Sequence, residues 1–192
     1  MIKKFDDFIL EFVQDNMRRP IMDKIMTFIT ALGNGGTLWI AIALYLIFYR
    51  GYKLTGIAVL MTLIVSTIFG EGIVKHVVRR VRPCNCKNNV QLLISKPISY
   101  SFPSGHTFSS FAVAGVLSAQ FSEYKMIFLL IASLIASLIA FSRLYLCVHY
   151  PTDIISGAVF GLLCAKLMIL FFNCDYFQTN MLNIFNTNIN LH

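Results

Sequence analysis

At 192 residues, 57% hydrophobic and only 13% charged, the chain is too apolar for one water-soluble domain, which carries about 25% charged residues, and it suits a bilayer instead. The formal net charge of +7 fits anionic headgroups or a phosphate-bearing ligand. With no basic patch on a soluble module, it argues against nucleic acid as a partner.

Taken in chain order, residues 1–20 carry Phe5, Phe8, Ile9, Phe12 and Val13 at helical spacing with charges opposite. That pattern predicts a helix lying in the membrane interface or against a bundle. The acidic turn at Asp6-Asp7 sits where a cleaved signal would be apolar, so none is expected. Residues 21–32 continue amphipathically, hold Asp23 and Lys24, and are too short to span alone. Gly33-Asn34-Gly35-Gly36 then breaks the helix. Irregular backbone at membrane depth must be buried or face water, so this turn is expected to pack against the bundle.

Residues 37–49 are apolar but short, and residues 54–80 are long enough to cross with tilt, with Glu71 and Lys75 near their end. After a polar stretch over 83–103, three further crossings are expected over 104–121, 125–142 and 151–172, followed by an Asn-rich tail. The expected fold class is all-α: a polytopic membrane helix bundle of five crossings, six if the N-terminal element adds one. It forms a single domain over 1–192, with amphipathic helices over 1–32, a transmembrane core over 33–172 and a polar tail over 173–192. Alternation of the crossings brings the ends near Arg80, Ser104, Arg143 and Pro151 to one membrane face.

Three separated pieces place their polar residues on that face. In the first, Lys75 and Arg82 are seven residues apart, two turns along one helical stripe, and Pro83 is expected to end the helix at Arg82. Arginine forks match phosphate oxygens bidentately, whereas lysine acts as a point charge. In the second, Pro103-Ser104-Gly105-His106 opens a helix. Ser104 is the expected N-cap, Gly105 permits close approach, and the first-turn N–H groups favour an anion. In the third, Arg143 supplies another fork and Pro151 suits the first helical position. Asp153 can then reach back four residues to one nitrogen of His149, leaving the other bare and nucleophilic.

Each piece alone fits an ordinary helix end; together they surround His106 and His149 with cations. No acidic cluster for Mg²⁺ and no Cys/His set for zinc is apparent, so neither a metal nor a cofactor is expected. Phosphoryl transfer driven by positioning and electrostatics is the expected chemistry. The five cysteines are scattered and suggest no disulfide framework. Glu71, one turn before Lys75, is expected to pair with it or with a neighbouring donor. Cys147 has no evident task beyond packing.

These pieces, Lys75-x6-Arg82-Pro83, Pro103-Ser104-Gly105-His106 and Ser142-Arg143-x5-His149-x3-Asp153, resemble the tripartite signature of the PAP2 (type 2 phosphatidic acid phosphatase) superfamily at every position. The size and the turn at 33–36 look like its small bacterial members. The resemblance implies a metal-independent membrane hydrolase of lipid phosphates or diphosphates that works through a phosphohistidine. It implies His149 as nucleophile, Asp153 as its support and His106 as acid and base. Lys75, Arg82, Ser104, the Gly105 N–H and Arg143 would bind phosphate. Undecaprenyl diphosphate is the favoured substrate, with phosphatidylglycerophosphate and phosphatidic acid as alternatives. A phosphotransferase or a non-catalytic binder of anionic lipid remain the readings from other classes. The expected partners are the lipid substrate and the bilayer, and the expected location is the cell membrane. The positive-inside rule applied to Arg79, Arg80, Lys87 and Lys96, with Arg18 and Arg19, puts the site face in the cytoplasm; the resemblance implies the extracytoplasmic face.

Overall fold

The computed structural model describes residues 1–49, 52–86, 92–120 and 125–173, and among them every regular element is helical. Helix α1 (Ile2–Met17) lies along the bundle, and α2 (Pro20–Gly33) starts on a proline at its first position, where the missing N–H costs nothing. A single 3₁₀ turn, Asn34–Gly36, joins α2 to α3 (Thr37–Phe48). Gly36 sits at φ 72 as the N-cap of α3, a left-handed geometry that a side chain resists.

From sequence, 21–32 is too short to span alone and 37–49, though short, counts as a crossing of its own. Joined, Pro20–Phe48 makes 29 residues that are long and apolar enough to span. The kink is not lost between an interfacial helix and a separate crossing; it lies within one crossing. Gly33 and Gly36 are buried there, Gly33 against His106 and Ile139 and Gly36 against Leu63. Packing of this kind removes the irregular backbone from lipid.

The next crossing begins as α4 (Lys53–Thr67), widens to a π-helical stretch over Ile68–Val74, and finishes as α5 (Lys75–Val78). The helix ends four residues before Arg82, because Arg79 turns left-handed at φ 51. Lys75 and Arg82 therefore do not share a helical stripe. The early turn instead frees Arg80 to reach two buried carboxylates. Pro83 opens the short α6 (Pro83–Cys86) rather than closing a long helix.

Helix α7 (Gly105–Gln120) is the centre of the molecule. It is enclosed by α4, α8 (Lys125–Tyr145) and α9 (Pro151–Phe172), and Thr107, Ala112, Val113 and Val116 are fully buried. Its contact with α9 is close because Gly157, Gly161 and Ala165 repeat every four residues. A Cβ on Gly157 would stand 2.8 Å from the Ser104 carbonyl, and one on Gly161 2.6 Å from that of Phe108. Small residues at this spacing let membrane helices approach backbone to backbone.

Four stretches among the described residues are long and apolar enough for a membrane span: Pro20–Phe48, Lys53–Cys86, Met126–Tyr145 and Pro151–Phe172. With the enclosed α7 they make five, and the exposed Ile131, Leu134, Leu163 and Leu167 on α8 and α9 form lipid-facing surface. The chain is a multi-pass membrane protein. The tail expected over 173–192 lies outside the described residues beyond position 173.

Helix α1 corrects one detail of the sequence reading. Phe5, Phe8 and Phe12 point outward, whereas the buried stripe is Asp6, Leu10 and Val13. An aspartate thus occupies a position facing the bundle.

Candidate active site

The loop between α8 and α9 carries His149 and is wound tightly. Leu146 N–H donates to the Ser142 carbonyl, Cys147 N–H to that of Leu144, and Val148 N–H to that of Arg143. Cys147 takes φ 56 to close this turn, a conformation costing about 1 kcal/mol for a residue with a Cβ. Its role is therefore in the backbone as well as in packing. Helix α9 then starts on Pro151 at its first position.

Asp153 lies in the first turn of α9. Its Oδ2 accepts the Tyr150 N–H at 2.9 Å, closing the helix start, and stands 3.7 Å from His149 Nδ1, beyond hydrogen-bond distance. Three further groups hold it: the Ser101 hydroxyl at 2.5 Å from Oδ2, Arg80 Nη1 at 2.6 Å from Oδ1, and the backbone of Ser104, whose N–H donates to the Asp153 carbonyl at 3.1 Å. On the other side of the ring, Arg82 Nη1 lies 2.9 Å from His149 Nε2. A guanidinium only donates, so Nε2 is the unprotonated nitrogen. The proton is then on Nδ1, facing Asp153.

Arg82 is itself fixed by the carbonyls of Ser99 (2.7 Å) and Val148 (2.9 Å) and by the Ser99 hydroxyl (3.1 Å). Lys75 Nζ takes the same hydroxyl at 3.1 Å and Glu71 Oε1 at 2.6 Å, the pairing expected from sequence. Glu71 also rests against Gly105, where an added Cβ would collide with Oε1. Arg143 donates to the Thr30 hydroxyl at 2.6 Å, while its buried Nε has no partner among the described residues. A buried guanidinium nitrogen without an acceptor costs about 1–3 kcal/mol.

These groups line a cavity of about 260 Å³: Lys75, Arg82, Gly105, His106, Arg143 and His149, together with Glu71, Ser99 and the Gly33, Gly35 and Gly36 turn. His106 projects from the first turn of α7 with Nε2 2.9 Å from Asn34 Oδ1, so the glycine turn orients this imidazole as well as making room for it. Asp153 stands behind His149 rather than in the cavity. Ser104 is also set back: it is fully buried, accepts the Thr107 hydroxyl at 2.9 Å, and gives its carbonyl to the Phe108 N–H. Among the described residues no group of three or more His, Cys, Asp or Glu could hold a metal ion.

The sequence reading missed Asp6, Arg80, Asn34, Ser99 and Ser101. Asp6 was legible as one stripe with Leu10 and Val13; the two serines lie in an irregular stretch with no periodicity to read.

Burial lowers the pKa of His149 well below its ordinary 6.5, reinforced by Arg82 and Arg143 and opposed by Asp153. The neutral form is the one folded into the structure. Below pH 6.5 the unfolded chain takes up a proton that the folded chain refuses, so this group's stabilisation is complete above 6.5 and is lost as pH falls. Thermal unfolding between pH 7 and 5 is expected to show a falling Tm, with a shallower fall in His149→Asn. Equal slopes in both proteins would contradict this assignment.

Comparison with known proteins shows the family. The PAP2 superfamily model matches residues 55–175, which hold all three pieces of the site. An undecaprenyl-diphosphatase of Sulfolobus acidocaldarius is 29% identical over 140 residues, 73% of this chain and 66% of that protein. Phosphatidylglycerophosphatase B of Bacillus subtilis is 33% identical over 158 residues, 77% of this chain and 73% of its own. The crystal structure of a transmembrane PAP2 type phosphatidylglycerolphosphate phosphatase from Bacillus subtilis superposes with a TM-score of 0.72 at 29% identity, covering 88% of this chain and 85% of that one. The chain belongs to the PAP2 superfamily, and the relatives named here are phosphatases, hydrolases of phosphoric ester or anhydride bonds.

Proposed function

We propose that this protein hydrolyses a lipid phosphate or diphosphate without a metal, through a phosphohistidine at His149. The observation that carries this reading is the pair of contacts on one imidazole: Arg82 on Nε2 and Asp153 opposite Nδ1. Together they make Nε2 the nitrogen that carries the lone pair; Arg82 holds that lone pair at rest and frees it when its guanidinium turns to the incoming phosphoryl oxygens.

In the cycle, Lys75, Arg82, Arg143 and the Gly105 N–H bind the phosphate oxygens, and Ser104 anchors the helix turn that presents that N–H. The unpartnered Arg143 Nε gains its acceptor when phosphate enters, and Lys75 exchanges Glu71 for a phosphate oxygen. His149 Nε2 attacks phosphorus, the bond from phosphorus to the leaving oxygen breaks, and His106 gives that oxygen a proton. Water, losing a proton to His106, then attacks the phosphorylated imidazole and releases inorganic phosphate and free His149. The three cations and the backbone dipole supply the charge stabilisation that a metal gives elsewhere. Asp153 supports the imidazolium-like charge on His149.

Undecaprenyl diphosphate is the substrate we favour, on the likeness to the Sulfolobus acidocaldarius enzyme. Phosphatidylglycerophosphate is the second reading, favoured by the Bacillus subtilis relative and its fold. We place the site on the extracytoplasmic face. Two of the cations that oppose this by the positive-inside rule are engaged locally, Arg80 with Asp6 and Asp153 and Arg18 with Asp23, and so report less on orientation.

The test is phosphate release by the purified protein in EDTA from undecaprenyl diphosphate, phosphatidylglycerophosphate and phosphatidic acid. Release undiminished by EDTA, fastest from the isoprenoid diphosphate, is expected. Loss of release on chelation contradicts the metal-free reading, and a faster rate on either glycerolipid reassigns the substrate.

A further inference from the structure

The polar groups behind His149 continue, through one arginine, into the N-terminal helix. Asp6 on α1 is fully buried. Its carboxylate accepts the Thr152 N–H at 3.0 Å, the Thr152 hydroxyl at 2.7 Å and Arg80 Nη2 at 2.5 Å. Through Nη1 the same guanidinium donates to Asp153 Oδ1 at 2.6 Å, and its carbon lies 4.1 Å above the Tyr150 ring. One cation is therefore shared between two buried carboxylates. Asp6 lies outside the residues 55–175 that the family model matches, so this part of the assembly comes from beyond the common core.

The sharing has an electrostatic consequence. Arg80 bonded to Asp153 alone would neutralise the carboxylate that has to offset positive charge on His149 while it carries phosphate. With Asp6 present, the trio of Asp6, Arg80 and Asp153 keeps a net charge of −1. We propose that Asp6 and Arg80 are positioning residues for the reaction: Arg80 fixes the Asp153 carboxylate, and Asp6 supplies the second negative charge that lets it do so without cancelling Asp153. This inference rests on His149 being the nucleophile.

Charge balance separates this role from simple bracing of the fold. Asp6→Asn leaves the trio at zero, Arg80→Gln at −2, and the double variant returns it to −1 with hydrogen-bonding side chains still in place. The experiment measures kcat and KM of the full-length protein in detergent for Asp6→Asn, for Asp6→Asn with Arg80→Gln, and for His149→Ala as the reference, with thermal unfolding of each. Asp6→Asn is expected to lower kcat about 10–100-fold, the usual effect of removing an outer partner of a reacting group. KM should stay within about two-fold, because Asp6 does not line the cavity. The double variant should recover a large part of that loss.

An Asp6→Asn protein that turns over at the parent rate overturns the proposal. So does a double variant no faster than the single one, or failure of both variants to fold, either of which assigns Asp6 to structure alone. Turnover surviving in His149→Ala overturns the nucleophile reading and this inference with it, whereas an inactive His149→Ala beside a fully active Asp6→Asn overturns this inference only.

Discussion

Replacing His149 with alanine is expected to lower turnover on the order of 10⁴-fold or more, the scale seen when a nucleophile that acts as part of a unit is removed. Substrate should still bind, because Lys75, Arg82 and Arg143 reach the cavity from other elements and keep most of their own contacts. Arg82 loses one neighbour and retains Ser99 and Val148. The loss should therefore fall on kcat, with KM little changed, and steady-state kinetics on a short-chain lipid phosphate separates the two. A proportional rise in KM would mean that His149 serves binding rather than bond formation.

Asp153→Asn is expected to be nearly as damaging, for a different reason. All the groups that face this carboxylate are donors: the Ser101 hydroxyl, the Tyr150 N–H, Arg80 Nη1 and, across 3.7 Å, His149 Nδ1–H. An amide presents NH₂ on one side, so in either orientation a donor meets a donor. Setting NH₂ against Arg80 leaves Nη1 only its bond to the Thr152 hydroxyl, and setting it against Ser101 and Tyr150 pulls apart the start of α9. Removing one partner of a buried ion pair costs about 3–5 kcal/mol, and a fall in Tm should accompany a kcat loss of about 10³-fold. Asp153→Glu would keep the charge and displace it; partial retention of Tm with a large kcat loss would show that geometry matters as well. A fully active Asp153→Asn would remove Asp153 from the mechanism.

Much of this site was legible because each piece couples a chemical group to a local backbone signal. Pro151 marks a helix start, which puts Asp153 one turn in and makes its reach to His149 computable from spacing. Ser104-Gly105-His106 opens α7 in the same way. Apolar runs gave the crossings, and the turn over 33–36 packs against His106 and Leu63 as irregular membrane backbone must.

What escaped reading depends on three-dimensional closure. Asp6 and Arg80 are 74 residues apart, and although Asp6 shares a helical stripe with Leu10 and Val13, nothing local names the partner that would meet its charge. Burial of Asp6 is favourable only because Arg80 and Thr152 converge on it. The early end of α5 followed from the same closure: the left-handed turn at Arg79 is unfavourable locally and is held by the contacts that Arg80 gains. Periodicity also could not tell that α7 would be enclosed, since an apolar helix in lipid and one in a helical core have similar composition.

The central claim, a phosphohistidine at His149, is tested most directly by trapping it. Protein mixed with lipid carrying a labelled phosphate and quenched in alkali, where phosphohistidine survives, is expected to hold acid-labile label on the peptide containing His149. His149→Ala should hold none, and His106→Ala should accumulate more than the parent if attack outlasts the slowed hydrolysis. Label on another residue, or steady turnover of the parent with no labelled protein at any quench time, would contradict the account.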